Sequence, residues 1–131
     1  MRFSFLIIND NAEEVKEILD FFENFPNYFC VGTVKDSQTA INQIIKVKPQ
    51  LVLVQIPTKS NERTSFFTTI SELFQYADTV PYFIAISKSA DYALAALQAG
   101  FSDYLKSPLL LQDLGKSLFK FEKRSPQCII S

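Results

Sequence analysis

Residues 48–58, KPQLVLVQIPT, hold the tightest constraint in the chain. Leu51, Val52, Leu53, Val54 and Ile56 form an apolar run broken only by Gln55 and bounded by Pro49 and Pro57. A run this short, with prolines at its borders and β-branched residues inside, reads as a strand buried on both faces. Such strands belong to parallel sheets covered by helices on each side. In parallel α/β sheets, chemistry gathers just outside the carboxyl ends of the strands. The residue at that end here is Gln55, whose amide is neither acid, base nor strong nucleophile.

The rest of the chain alternates in the same way. Residues 3–9, 28–34, 82–86 and 102–106 read as further strands. Between them lie apolar residues at helical spacing: Val15, Ile18, Leu19 and Phe22; then Ala40, Ile41, Ile44 and Ile45. After a polar loop PTKSNERTS come Phe66, Phe67, Ile70, Leu73 and Phe74; then Ala90, Ala93, Leu94 and Leu97, closed by Gly100; and finally Leu111, Leu114, Leu118 and Phe121. Asp10 or Asn11 can cap the first helix, with Glu13 or Glu14 completing a capping box. Five strands alternating with five helices predict a doubly wound parallel sheet with helices on both faces, a flavodoxin-like (βα)5 α/β fold. The flavodoxin-like strand order 2-1-3-4-5 places the ends of strands 1 and 3 at one switch point.

The 131 residues suit one domain, and 47% hydrophobic content supports a core without disulfide staples. Net charge is −1, which provides no broad electrostatic footprint for nucleic acid or an anionic membrane. Cys30 and Cys128 are too far apart for a metal motif, and the absence of histidine excludes zinc sites and histidine acid–base catalysis. No leader segment or membrane-length apolar run is apparent, so a reduced, cytoplasmic location is expected.

Asn9-Asp10 after strand 1, KPQLVLVQI at strand 3, Ser87 closing strand 4, and YALAALQAGFSDYLKSPL resemble a response-regulator receiver domain of bacterial two-component systems. The segment after Ser87 is most similar to receivers of LytTR-type transcriptional regulators. The resemblance covers residues 3 to about 122, with 1–124 read as the receiver-like domain and 125–131 as a tail or the start of a linker.

The resemblance implies specific roles. An acidic pair after strand 1 and an aspartate ending strand 3 hold Mg²⁺, and that aspartate accepts a phosphoryl group from a kinase histidine. A hydroxyl on strand 4 and a lysine on strand 5 contact the phosphoryl oxygens, and a strand-5 aromatic moves with the event. By position these roles fall on Asn9 and Asp10, Gln55, Ser87, Ser107 and Tyr104.

Three positions depart from the pattern. Gln55 has no carboxylate to attack phosphorus. Asn9 removes a second acid, leaving Asp10 as the expected lone anion, a poor Mg²⁺ site, so no cofactor is expected. Ser107 stands where the lysine belongs, and Lys106, one step earlier, should face away from the pocket. Losing the lysine together with the carboxylates would avoid an unpaired buried cation.

Asp10 is read as a helix N-cap worth about 1 kcal/mol, or at most a weak metal ligand. Ser87 is either a switch hydroxyl or the start of a turn, and Tyr104 either a switch or, preferably, a packed aromatic. Tyr92, Leu94 and Leu97 are interface candidates.

The expected role is a non-enzymatic regulatory module acting through protein contact, with a sensor kinase or a second copy as partner. DNA would be reached only through a further C-terminal domain. The rival reading is a flavodoxin-like small-molecule-binding domain or enzyme using Asn9, Gln55 and Ser87, although the first turn, NDNAEE, has no glycine-rich phosphate loop. The final CIIS fits a prenylation pattern, which the bacterial resemblance disfavours.

Overall fold

Leu51, Val52, Leu53 and Val54 have no solvent-accessible surface in the computed structural model, because helices cover both faces of their strand. The structure describes residues 1–76 and 80–130, without the side chains of residue 76 and residues 125–130. The chain runs β1 (Phe3–Ile8), α1 (Ala12–Phe22), β2 (Tyr28–Val34), α2 (Ser37–Val47), β3 (Leu51–Gln55) and α3 (Ser60–Tyr76). It continues through β4 (Tyr82–Ser87), a 3-10 turn (Ala90–Tyr92), α4 (Ala93–Gln98), β5 (Asp103–Lys106) and α5 (Leu111–Ile130). The five strands are parallel in the order β2-β1-β3-β4-β5, as expected from the sequence.

The two-residue period of the strands sorts the core into two layers. Leu6, Ile8, Val52, Val54, Phe83 and Ala85 pack against α2, α3 and α4 through Ala40, Ile44, Phe66, Ile70, Leu73 and Ala96. Phe5, Ile7, Leu51, Leu53, Ile84 and Ile86 pack against α1 and α5 through Ile18, Phe22, Leu114, Leu118 and Phe121. Each fully buried aliphatic or aromatic side chain contributes about 1.5–3 kcal/mol relative to exposure.

Several expectations need correction. α3 begins at Ser60, so two thirds of the expected polar loop is helix. Its polar first turns lie on the solvent side, where Thr64, Thr68 and Thr69 return their hydroxyls to carbonyls four residues earlier. In α4 the only buried residue is Ala96, whereas Leu94 and Leu97 are 67% and 51% exposed. The helix meets the core through its smallest side chain. Ile45 on α2 and Leu111 on α5 also face outward. The backbone of α5 continues through the expected tail to Ile130, while the CIIS ending lies outside the residues whose side chains are described. Among the described residues, no helix is long and apolar enough to cross a membrane.

The Tyr28 hydroxyl donates to Glu122 at 2.7 Å, tying β2 to α5. Burial, reinforced by Glu122, pushes the Tyr28 phenol above its ordinary value, and burial with nearby Asp103 does the same to Tyr82. The unfolded phenols ionise near pH 10 while the folded ones stay neutral. Their stabilisation is complete below that pH and is lost as pH rises toward the folded values. Urea unfolding should therefore show stability falling above about pH 10, and Tyr28→Phe should shrink that fall.

Gly100 ends α4 with φ +108°, and a Cβ there would lie 2.9 Å from the Phe74 ring. Gly100→Ala should lower unfolding stability by about 2 kcal/mol, read from the urea midpoint at constant slope.

Candidate functional site

The carboxyl ends of β1 and β3 open onto a cleft of about 650 Å³. Asn9, the first residue past β1, is buried and governs the turn into α1. Its Oδ1 accepts from the Asn11 backbone N–H at 2.8 Å, and its Nδ2 donates to the Glu14 carboxylate at 3.3 Å. Asn11 then caps α1, accepting from the N–H groups of Glu13 at 3.0 Å and Glu14 at 3.1 Å.

Asp10 is therefore not the N-cap; it is exposed, and the cap falls one residue later because Asn9 captures the Asn11 N–H. Glu14 closes the motif through the Asn9 side-chain amide instead of through the cap backbone. The Asn9 amide can both accept and donate, and both of its ends are used.

Gln55 is half-buried at the end of β3 and lines this cleft together with Asn9 and Asp10. It also lines a second cleft of about 420 Å³, shared with Ser107, Pro108, Leu109 and Glu17. Glu14 and Lys88 line both as well. Lys106 is exposed and lines neither.

Ser87 is buried, but its hydroxyl is occupied by the β4–α4 connection, donating to the Ser89 carbonyl at 3.2 Å and accepting from the Ser89 N–H at 3.3 Å. The Tyr104 hydroxyl donates to the same Ser89 carbonyl, with its ring packed on the α2–α3–α4 side of the sheet. Ser87 and Tyr104 therefore meet at one backbone atom of the loop. Tyr92 is half-buried, unlike Leu94 and Leu97 on the same segment.

The first cleft is not the single-anion pocket expected from the sequence. Asp10, Glu14, Asp36 and Glu62 line it, opposed by Lys35 and Lys88. Asp36, the cap of α2, is held below the ordinary carboxylate range by the Thr39 N–H and hydroxyl. Lys88 is the residue the sequence reading missed. Its only signal was its place directly after strand-4 Ser87.

The donor set does not fit the Mg²⁺ that the resemblance implies. The Asn9 amide is oriented by Asn11 and Glu14, and Gln55 is neutral. Among the described residues, no cluster of three or more acidic or thiol side chains is placed to hold a metal ion.

No family model matches the chain. A protein-glutamate methylesterase/protein-glutamine glutaminase of Geobacter sulfurreducens is 25% identical over 103 residues, covering 79% of this chain and 27% of that protein. An uncharacterized response regulatory protein of Shewanella oneidensis is 27% identical over 125 residues, covering 95% of this chain and 51% of that protein. The chain thus spans only about a quarter to a half of these relatives. Among solved structures, a signal receiver domain from Vibrio parahaemolyticus superposes with a TM-score of 0.81 at 21% identity, over 99% of this chain and 97% of that one. The fold is that of a response-regulator receiver domain.

Asn9→Asp should cost about 1–2 kcal/mol at neutral pH, because a donor is lost and a buried carboxylate is placed beside Glu14. Burial and repulsion by Glu14 raise the pKa of the introduced carboxyl in the folded state, so the loss should diminish as pH falls toward 4, where that group takes up a proton. Denaturant midpoints of the wild type and variant across that range check this.

Proposed function

We propose that this chain is a receiver-like regulatory domain of a bacterial two-component response regulator that signals without phosphorylation at the strand-3 position. The observation that carries the reading is Gln55 at the end of β3, inside a receiver fold, beside an Asn9 whose amide is committed to the α1 turn. An amide cannot form an acyl phosphate in the way an aspartate does. By the resemblance Ser107 stands at the position of the receiver lysine, and Lys88 lines the cleft from the connection that follows β4. The domain then acts by protein contact and performs no catalysis of its own.

The YALAALQAGFSDYL segment supports a LytTR-type regulator in which residues 1–124 are the regulatory domain and residues 125–131 are a tail or the start of a linker to a DNA-binding domain. The partner is a sensor kinase or a second copy of the chain, met through α4, where Leu94 and Leu97 are exposed. The two-component setting places the protein in the bacterial cytoplasm.

A small-molecule site in the same cleft is the second reading. It is favoured by the cleft volume and by Gln55, Thr58, Asn61 and Ser65 on its walls. A thermal-shift screen with nucleotides, flavins and metabolites separates the two, since a large reproducible shift supports the second.

Incubation with acetyl phosphate and Mg²⁺ should leave the intact mass unchanged. A phosphoryl adduct mapped by peptide mass to Asp10 or another cleft residue would overturn the proposal.

A further inference from the structure

Arg63 stands in the first turn of α3, where a cation faces the positive end of the helix dipole. Its side chain turns back out of that turn. Nη1 donates to the carbonyl oxygens of Thr58 at 2.9 Å and Pro57 at 3.3 Å, both on the loop that follows Gln55 and both lining the cleft. The guanidinium carbon lies 3.8 Å from the centroid of the Tyr92 ring. Tyr92 closes the 3-10 turn that leads into α4 and packs against the core on the α2–α3–α4 side of the sheet. A planar guanidinium can do both jobs at once, with its edge serving carbonyls and its face lying on an aromatic ring.

One side chain therefore bridges the β3–α3 loop, which forms a wall of the cleft, and the β4–α4 connection, which leads into α4 with its exposed Leu94 and Leu97. The start of that connection is held separately, by Ser87 and Tyr104 on the Ser89 carbonyl. The α4 segment is thus fastened at Ser89 to its own strand and at Tyr92 to the loop beside Gln55.

We propose that Arg63 is a positioning residue that couples the cleft to the α4 surface, so that displacement of Pro57 and Thr58 is transmitted to Tyr92. This deepens the reading above by providing a route from cleft to surface that requires no phosphoryl group. An occupant pressing on Pro57 or Thr58, or a partner engaging α4, would be felt at the other end.

Hydrogen exchange followed by mass spectrometry, on the wild type, Arg63→Gln, Tyr92→Leu and the double variant, tests the coupling. Each single change should speed exchange about threefold or more in both segments 57–62 and 89–98, and the double should add little to either. Exchange in β1 and in α5 up to residue 124 should stay at wild-type rates.

Effects confined to each variant's own loop, or independent effects that multiply in the double, would overturn the coupling. Faster exchange throughout the chain would also overturn it, because Arg63 would then support the fold as a whole. These readouts involve no phosphoryl donor, so the staple can fail while the phosphorylation-independent reading stands, and the reverse.

Discussion

Everything at the cleft depends on the burial of β3 from both sides. With Leu51 to Val54 closed off from solvent, the strand's register is held by β1 on one side and β4 on the other. A slip of one residue would exchange the two core layers, sending side chains shaped for α1 and α5 toward α2, α3 and α4. That constraint delivers Gln55 to the carboxyl edge, between the ends of β1 and β4.

An amide at that point changes what its neighbours can do. On the proposed reading, Asn9, Gln55 and Ser107 stand at three positions that are charged in an ordinary receiver pocket. Asn9 shows how such a loss becomes structural. Its oxygen orders the Asn11 N–H, Asn11 caps α1, and its nitrogen holds Glu14. The pocket has not become neutral overall, since acids from α1, α2 and α3 and two lysines remain along its walls. Among the described residues, no set of three or more carboxylates is placed to share one cation.

Much of the fold was legible because it is written in short-range periodicity. The apolar runs at β1, β3 and β4 and the stripe of Leu114, Leu118 and Phe121 landed where the pattern placed them. Less legible were features decided by a single tertiary or side-chain contact. Asp10 and Asn11 are equally good caps by residue type, and only the bond from the Asn11 N–H to Asn9 separates them. Leu94 and Leu97 satisfy helical spacing, yet α4 approaches the sheet through Ala96, which a hydrophobicity pattern ranks below leucine. Lys88 and Arg63 carried no motif. Their roles arise from loops that the strand order brings side by side.

On the proposed reading, the cleft does not organise a metal and a phosphoryl group at the end of β3. Backbone amide spectra recorded while Mg²⁺ and beryllofluoride are titrated in test this. No saturable shifts are expected at residues 9, 10, 55 and 87. Saturable, Mg²⁺-dependent shifts at those residues, spreading to Tyr104 and α4, would contradict it and show a working phosphoryl pocket built on different donors.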